Sequence, residues 1–195
     1  MDADIEVAEG ASYSYYERHI HSAEGGVLVV PKSRVTLGPD ARFRTHFELI
    51  EGRVGTIDID YETTCAARSV MEMTAKVSAK ADDVVRIRET GHLAGQDARG
   101  VLTSRVAVRD DARADVYNKL TASAAGARGH VDCQEIIAGG GQCSATPIVE
   151  VNHPRAHVTH EAALGSVDTR QLETLMARGL SEEQASDMII AGLLR

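Results

Sequence analysis

Apolar and polar residues alternate with a period of two in many short runs along this chain. In residues 55–62, Ile57, Ile59 and Tyr61 share one face, and the acidic and hydroxyl residues between them share the other. That is the pattern of a strand with one wet face. Gly25-Gly26 introduces the run Val27-Leu28-Val29-Val30, and Pro31 ends it. Weaker alternation recurs at 75–79, 84–88 and 105–109, with shorter candidates at 130–133, 148–151 and 157–160. The breaks between them are Gly, Asp, Asn and Ala, as at Thr90-Gly91, Asp97-Ala98-Arg99-Gly100 and Gly126-Ala127-Arg128-Gly129. There is little room for the long crossover helices of parallel βα units. The pattern therefore predicts a mainly β body, either a sandwich, a barrel or a parallel β-helix. No exact repeat stands out. A small-polar-Val triplet at 114–116, 129–131 and 156–158 hints at recurring strand starts and weakly favours coils.

The two ends read differently. Residues 1–24 predict a lead-in, acidic at first, with a short helix or irregular segment at 13–20 (YSYYERHI). Its tyrosines, with His19 and His21, either pack on the body or face a partner. From 166 to 195 the period changes to that of helices. Asp168 can cap a helix with apolar Leu172, Leu175 and Met176 and with Gln171 three residues after the cap. Ser181 opens a second helix, with Gln184 at the same offset and a face of Ala185, Met188, Ile189 and Leu193. Neither helix is long enough to stand alone, so each must pack on the β body or on a partner.

Composition narrows the classes. The 195 residues carry a formal net charge of -8, with 29 acidic against 21 basic side chains, which disfavours a broad nucleic-acid footprint. Tryptophan is absent and there are two phenylalanines. A core of Ala, Val, Ile and Leu suits narrow regular layers better than a wide aromatic pocket. No apolar run approaches the roughly 20 residues of a membrane helix. The opening Met1-Asp2-Ala3-Asp4-Ile5-Glu6 lacks a secretory pattern, so the expected location is the cytoplasm. Three cysteines, Cys65, Cys133 and Cys143, cannot all pair within one chain and fit free intracellular thiols.

The residues richest in chemistry lie between Gly129 and Gly165. They include Cys133, Cys143, His153, His157, His160, Asp132, Glu135 and Glu161. Thiolates and imidazoles bind borderline metals, and carboxylates can complete a sphere. Yet the ten-residue separation of Cys133 and Cys143 is no CxxC, and no HExxH surrounds the histidines. Cys133 with His160 could form a nucleophile and base, but no flanking motif supports that pairing. By periodicity alone Cys133 reads as a small buried hydrophobe. Gly139-Gly140-Gly141 lacks the Lys-Ser/Thr of a phosphate loop and reads as a turn.

Three stretches nevertheless resemble the SufB/SufD (SufBD) family of iron–sulfur cluster assembly scaffold components. They are GHVDCQEIIAG at 129–139, PIVEVNHP at 147–154 and AHVTHEA at 156–162; the likeness continues through Gly165, Gln171-Leu172 and residues 176–185. The resemblance implies a right-handed parallel β-helix over 25–165, a lead-in at 1–24 and a small C-terminal helical domain at 166–195. It implies that the chain is no enzyme but holds a transient iron–sulfur cluster, with a SufC-like ABC ATPase docked on the helices through Leu172, Met176, Met188 and Ile189. Cys133 matches the family's scaffold cysteine, Glu161 its glutamate, and His160 a histidine found in SufD, so these three are the expected ligands for cluster or metal. Because features of both partners meet in one chain, the expectation is a homodimer, and the chain is expected to be a short, minimal member. Cys65 and Cys143 receive no role. The readings set beside this one are a SufD-like structural partner without its own cluster and a Cys/His-dependent β-helix enzyme.

Overall fold

A computed structural model of the protein describes residues 2–194. Thirteen strands and two helices follow in order: β1 Asp2–Val7, β2 Ser12–Ile20, β3 Val27–Val29, β4 Lys32–Leu37, β5 Arg42–Glu51, β6 Gly55–Cys65, β7 Val70–Ala79, β8 Val84–Leu93, β9 Arg99–Val108, β10 Arg113–Ala122, β11 Arg128–Ile137, β12 Gln142–Val151, β13 His157–Ser166, α1 Thr169–Met176 and α2 Glu182–Leu193. Strands alternate between two sheets. One runs β1-β4-β6-β8-β10-β12, with β3 also on β6, and the other β13-β11-β9-β7-β5-β2. Every pairing is parallel. The body is thus a parallel β-helix of about six turns, each turn contributing one strand to each sheet.

Alternation builds the core. In β6, Ile57, Ile59, Tyr61, Thr63 and Cys65 point inward, and in β7, Met71, Met73, Ala75, Val77 and Ala79 meet them from the facing sheet. Parallel register then stacks like positions into columns, such as Thr45-Met73-Leu102-Val131-His160. Side chains on successive coils touch at the strand spacing of about 4.8 Å. The core is therefore a set of parallel files rather than a three-dimensional jigsaw.

The repeat lies in the corners. Between the first sheet and the second, one residue in each of the first five turns adopts the left-handed region: Gly10, Asp40, Arg68, Asp97 and Gly126. Their amides bond upward to the carbonyls of Pro39, Ala67, Gln96, Ala125 and Arg155, so the corners stack as regularly as the strands. The Arg68–Asp40 ion pair spans one such step of 28 residues, and the Ala81 amide to Asp110 carboxylate bond spans 29 at the other corner. The small-polar-Val triplets do not mark this repeat. Gly129 pairs with Val158, so triplets 129–131 and 156–158 sit two residues out of register.

The described residues before 25 are not a helical lead-in. Most of them form β1 and β2, which pair with β4 and β5 as the first coil. Tyrosines and Ile20 suit a pleated surface, but the inward slots of β2 hold Glu17 and His19, which conceal the alternation. The β-helix therefore starts well before residue 25 and ends with β13 at Ser166. The tail follows its sequence signals. Asp168 Oδ1 accepts from the Gln171 amide at 2.8 Å, and Ser181 and Gln184 form a reciprocal capping box. The buried face of α2 keeps Ala185 from the expected one but is otherwise shifted. Ile190 and Leu194 pack on Ala107, Ile50 and Ile136 outside the second sheet, and Arg109 pairs with Asp187. Ile189 remains half-buried and Met188 exposed.

Stacked corners make a specific prediction. A Cβ on Gly95 would lie 2.1 Å from the Ala67 backbone nitrogen, whereas one on Gly165 meets nothing within 4 Å. Gly95→Ala should cost about 1–3 kcal/mol of unfolding free energy in urea titration, and Gly165→Ala should stay within about 0.5 kcal/mol of the parent. Equal effects would contradict the corner stack.

Candidate functional site

The two last strands, β12 and β13, each pair on one side only. Their interior faces are half-buried or exposed, with Val151 and Leu164 about half open to solvent. This end of the β-helix has the features of a site: free backbone donors and acceptors, apolar side chains without a lid, and cysteines close beneath.

Cys133 lies in β11, one coil below the end, in the inward file Phe47-Ala75-Ser104-Cys133-Ala162. It is fully buried. The amide Nδ2 of Asn118, projecting from the opposite sheet, lies 3.4 Å from Cys133 Sγ and 3.4 Å from Ser104 Oγ. Ser104 Oγ in turn donates to Glu135 Oε1 at 3.2 Å. Burial raises the Cys133 thiol above its ordinary value. The polar contacts with Ser104 and Asn118 oppose that, and the carboxyls of Glu135 and Glu89 add to it. Cys143, in β12, is half-buried and is pushed up to about 12 by burial, with Glu135 and Asp115 adding to the shift. Cys65 sits deep in the core, also at about 12 through burial, with only Ser69 opposing. Cys65 is therefore an inert core thiol in this fold.

The three expected ligands do not converge. His160 continues the inward file of Val131, two positions along β13 from the residue over Cys133, and is exposed. Glu161 is its neighbour in sequence, so it points to the opposite face, in the file of Asp132. Asp132 is held there by Arg105 at 2.5 Å. Among the described residues, no three His, Cys, Asp or Glu side chains are grouped as a metal would need. Cys133 and His160 belong to one face of the end, and Glu161 to the other.

Sequence reading missed the polar file behind Cys133. Ser33, Tyr61, Glu89 and Asn118 stack in the first sheet, with Pro147 closing the file at β12. All four polar members are buried or nearly so. Tyr61 OH donates to Glu17 Oε2 at 3.2 Å, which Tyr15 also reaches, and His19 Nε2 lies 2.7 Å from Glu17 Oε1. Glu89 Oε2, Asn118 Oδ1 and Glu135 Oε2 are buried without a hydrogen-bond partner. Burial raises Glu89 to about 8. It also raises Glu135 to about 7, against the pull of Ser104 and Arg105. A polar residue in an inward slot was the available signal, since Glu89 extends the inward alternation Val85, Ile87 by one step.

On the helices, α1 and α2 leave an open groove of about 360 Å³ lined by Arg170, Gln171, Thr174, Leu175 and Ile189. Met176 and Met188 are exposed beside it, and Leu172 is half-buried. The face of α2 that holds the tail to the β body, Ile190 and Leu194, is a different one. No helix among the described residues is long and apolar enough to cross a membrane.

Comparison with known proteins places this geometry in a family. Residues 3–193 match the family profile described as "SUF system FeS cluster assembly, SufBD core domain". An iron–sulfur cluster assembly SufBD family protein of Methanocaldococcus jannaschii is 37% identical over 194 residues, covering 100% of this chain and 61% of the relative. One from Pyrococcus horikoshii is 37% identical over 190 residues, covering 97% and 58%. A Staphylococcus aureus member is 39% identical over 72 residues, 36% of this chain and 16% of its own length. The chain thus spans about three-fifths of the archaeal relatives' length.

Neutral buried carboxyls leave a mark on stability. Raised to about 8 and about 7, Glu89 and Glu135 hold their protons to higher pH in the fold than in the unfolded chain, so their contribution is complete below about pH 4.5 and falls as pH rises toward 7 and 8. Each contributes a slope of up to about 1.4 kcal/mol per pH unit in its window. Urea midpoints between about pH 5.5 and 8.5 should decline less steeply in Glu89→Gln than in the parent. Parallel slopes would place Glu89 in an ionised state.

Proposed function

The chain belongs to the SufBD family, and from that premise we propose that it is an iron–sulfur cluster assembly scaffold that holds a nascent cluster between two copies of itself. The observation that carries this reading is the division of Cys133 and His160 from Glu161 across the two faces of an end whose strands lack partners. A cluster needing all three residue types must be completed by a second chain. The unpaired edges of β12 and β13 and the exposed Val151 and Leu164 supply the means to bring one there. Such a cargo lies at the open end, from which it is handed on once Cys133 is uncovered.

The helical tail serves as the dock for a SufC-like ABC ATPase. Its groove and its exposed methionines present apolar surface of the adaptable kind that partner helices use, while Ile190 and Leu194 transmit any pull directly to the second sheet. ATP hydrolysis by that partner reshapes the end, and this chain itself turns over no substrate. The setting is the cytoplasm, where Cys133 stays reduced. Cys133 supplies soft thiolate ligation to iron, His160 a neutral nitrogen and Glu161 oxygen or a proton.

One observation favours a second reading. Cys133 is fully covered in the single chain, as expected of a SufD-like partner that carries no cluster of its own. Anaerobic loading with iron and sulfide separates the two. The scaffold should yield a coloured dimer whose absorbance is lost in Cys133→Ser, and Leu164→Lys should give a monomer that retains no iron. A Cys133→Ser chain that still loads fully would transfer the role to the second reading.

The dock is tested apart from the cluster. Met188→Glu, on the exposed side of α2, should weaken capture of the ATPase about tenfold or more, as loss of an interface anchor does, with an unchanged urea midpoint. Unaltered binding would move the partner elsewhere.

A further inference from the structure

The buried polar file explains how the Cys133 sulfur is held, which goes one step deeper than the scaffold reading and rests on it only for its consequence. A side-chain amide has two ends that differ by a donor and an acceptor, and something must decide which end faces the sulfur. Asn118 turns Nδ2 toward Ser104 Oγ and Cys133 Sγ. Its Oδ1 is buried without a partner. Ser104 cannot supply one, because its hydroxyl proton goes to Glu135. Along the file Asn118 lies between Pro147, which has no donor, and Glu89. Glu89 is itself fully enclosed, with Oε2 lacking a partner. The two orphaned oxygens belong to register partners on adjacent coils, so one proton between them would satisfy both.

We propose that Glu89 is a positioning residue for the Cys133 sulfur: its carboxylic acid donates to Asn118 Oδ1 and so locks the amide with its N–H groups on Ser104 and Cys133. Every donor in the file then runs one way, from Glu89 through Asn118 to the sulfur and through Ser104 to Glu135. The neutral state that burial gives Glu89 agrees with this direction. The N–H on Sγ favours a sulfur carrying negative charge, as a metal-binding thiolate must. Without the lock the amide can turn, presenting its oxygen to the sulfur and disfavouring that charge.

The test uses the full apo chain, with no cluster present. Selective nitrogen labelling reads the Asn118 side-chain amide by NMR, and the infrared S–H band reads hydrogen bonding at Cys133. Glu89→Gln keeps a donor toward Oδ1 and should leave both signals in place. Glu89→Leu removes it and should shift the amide resonances and move the S–H band, which Cys133→Ser identifies. If Glu89→Leu does not fold, the parent chain still decides: a protonated-carboxyl band at neutral pH that disappears in Glu89→Gln supports the lock. Absence of that band, or identical amide and S–H signals in the Gln and Leu variants, overturns it. A lock that is present while Cys133→Ser loads iron normally would refute the scaffold reading and leave the positioning intact.

Discussion

The parallel backbone ladder, which sets residues of each coil above those about 28 to 30 positions earlier, is the constraint on which the rest of the molecule depends. Each strand has one inward slot for every outward one, and each slot inherits the neighbours of its file. Some large side chains sit over small ones, as Phe47 does beside Ala75, and Met71 beside Gly100. A polar side chain that enters a file has no water to turn to, so it must find partners on the next coil or across the core. The file through Tyr61, Glu89 and Asn118 is what that rule produces when several polar residues occupy one column. It extends from Glu17 in the first coil to the sulfur beneath the last one.

Much of the fold was legible because local chemistry and tertiary structure agree. The alternation of Ile57, Ile59 and Tyr61 survives as β6, and the caps Asp168 and Ser181 open the two helices where their side chains predict. What stayed hidden was hidden for physical reasons. The repeat is carried by left-handed corners, and these accept Gly, Asp or Arg when stacking and hydrogen bonds hold them, so no single letter marks every turn. The first coil looked irregular because Glu17 and His19 occupy slots that an apolar pattern reserves for core residues. The site was legible only in part. The last third of the sequence pointed to Cys133, His160 and Glu161, but adjacency in sequence disguised that residues 160 and 161 must face opposite ways. Glu89 and Asn118 carried no motif at all, and only the register brings them to the sulfur.

The helical tail is anchored to the same sheet that carries the sulfur. Through Ile190, Leu194 and the Arg109–Asp187 pair, α2 is fixed to the flank of the second sheet beside β9 and β11. The same β11 carries Cys133. A force applied to the tail therefore reaches the strand that bears the sulfur through packed side chains rather than through a flexible linker. Met176 and Met188, on faces the β body leaves uncovered, remain accessible while that anchorage holds.

Pro147, which closes the polar file at β12, has a further effect. β12 keeps its register with β10 along its whole length, so the amide hydrogen that proline lacks is missing from the outer side of the strand. A β-helix with a bare end is at risk of stacking on its own copies, coil upon coil, into an open fibre. At residue 147 the template for such growth has a gap in its row of donors. Regular head-to-tail addition meets that gap at once, whereas a two-fold arrangement that pairs elsewhere along the edges does not. A single imino acid thus leaves the outer row of donors at this end incomplete, which disfavours regular coil-upon-coil addition.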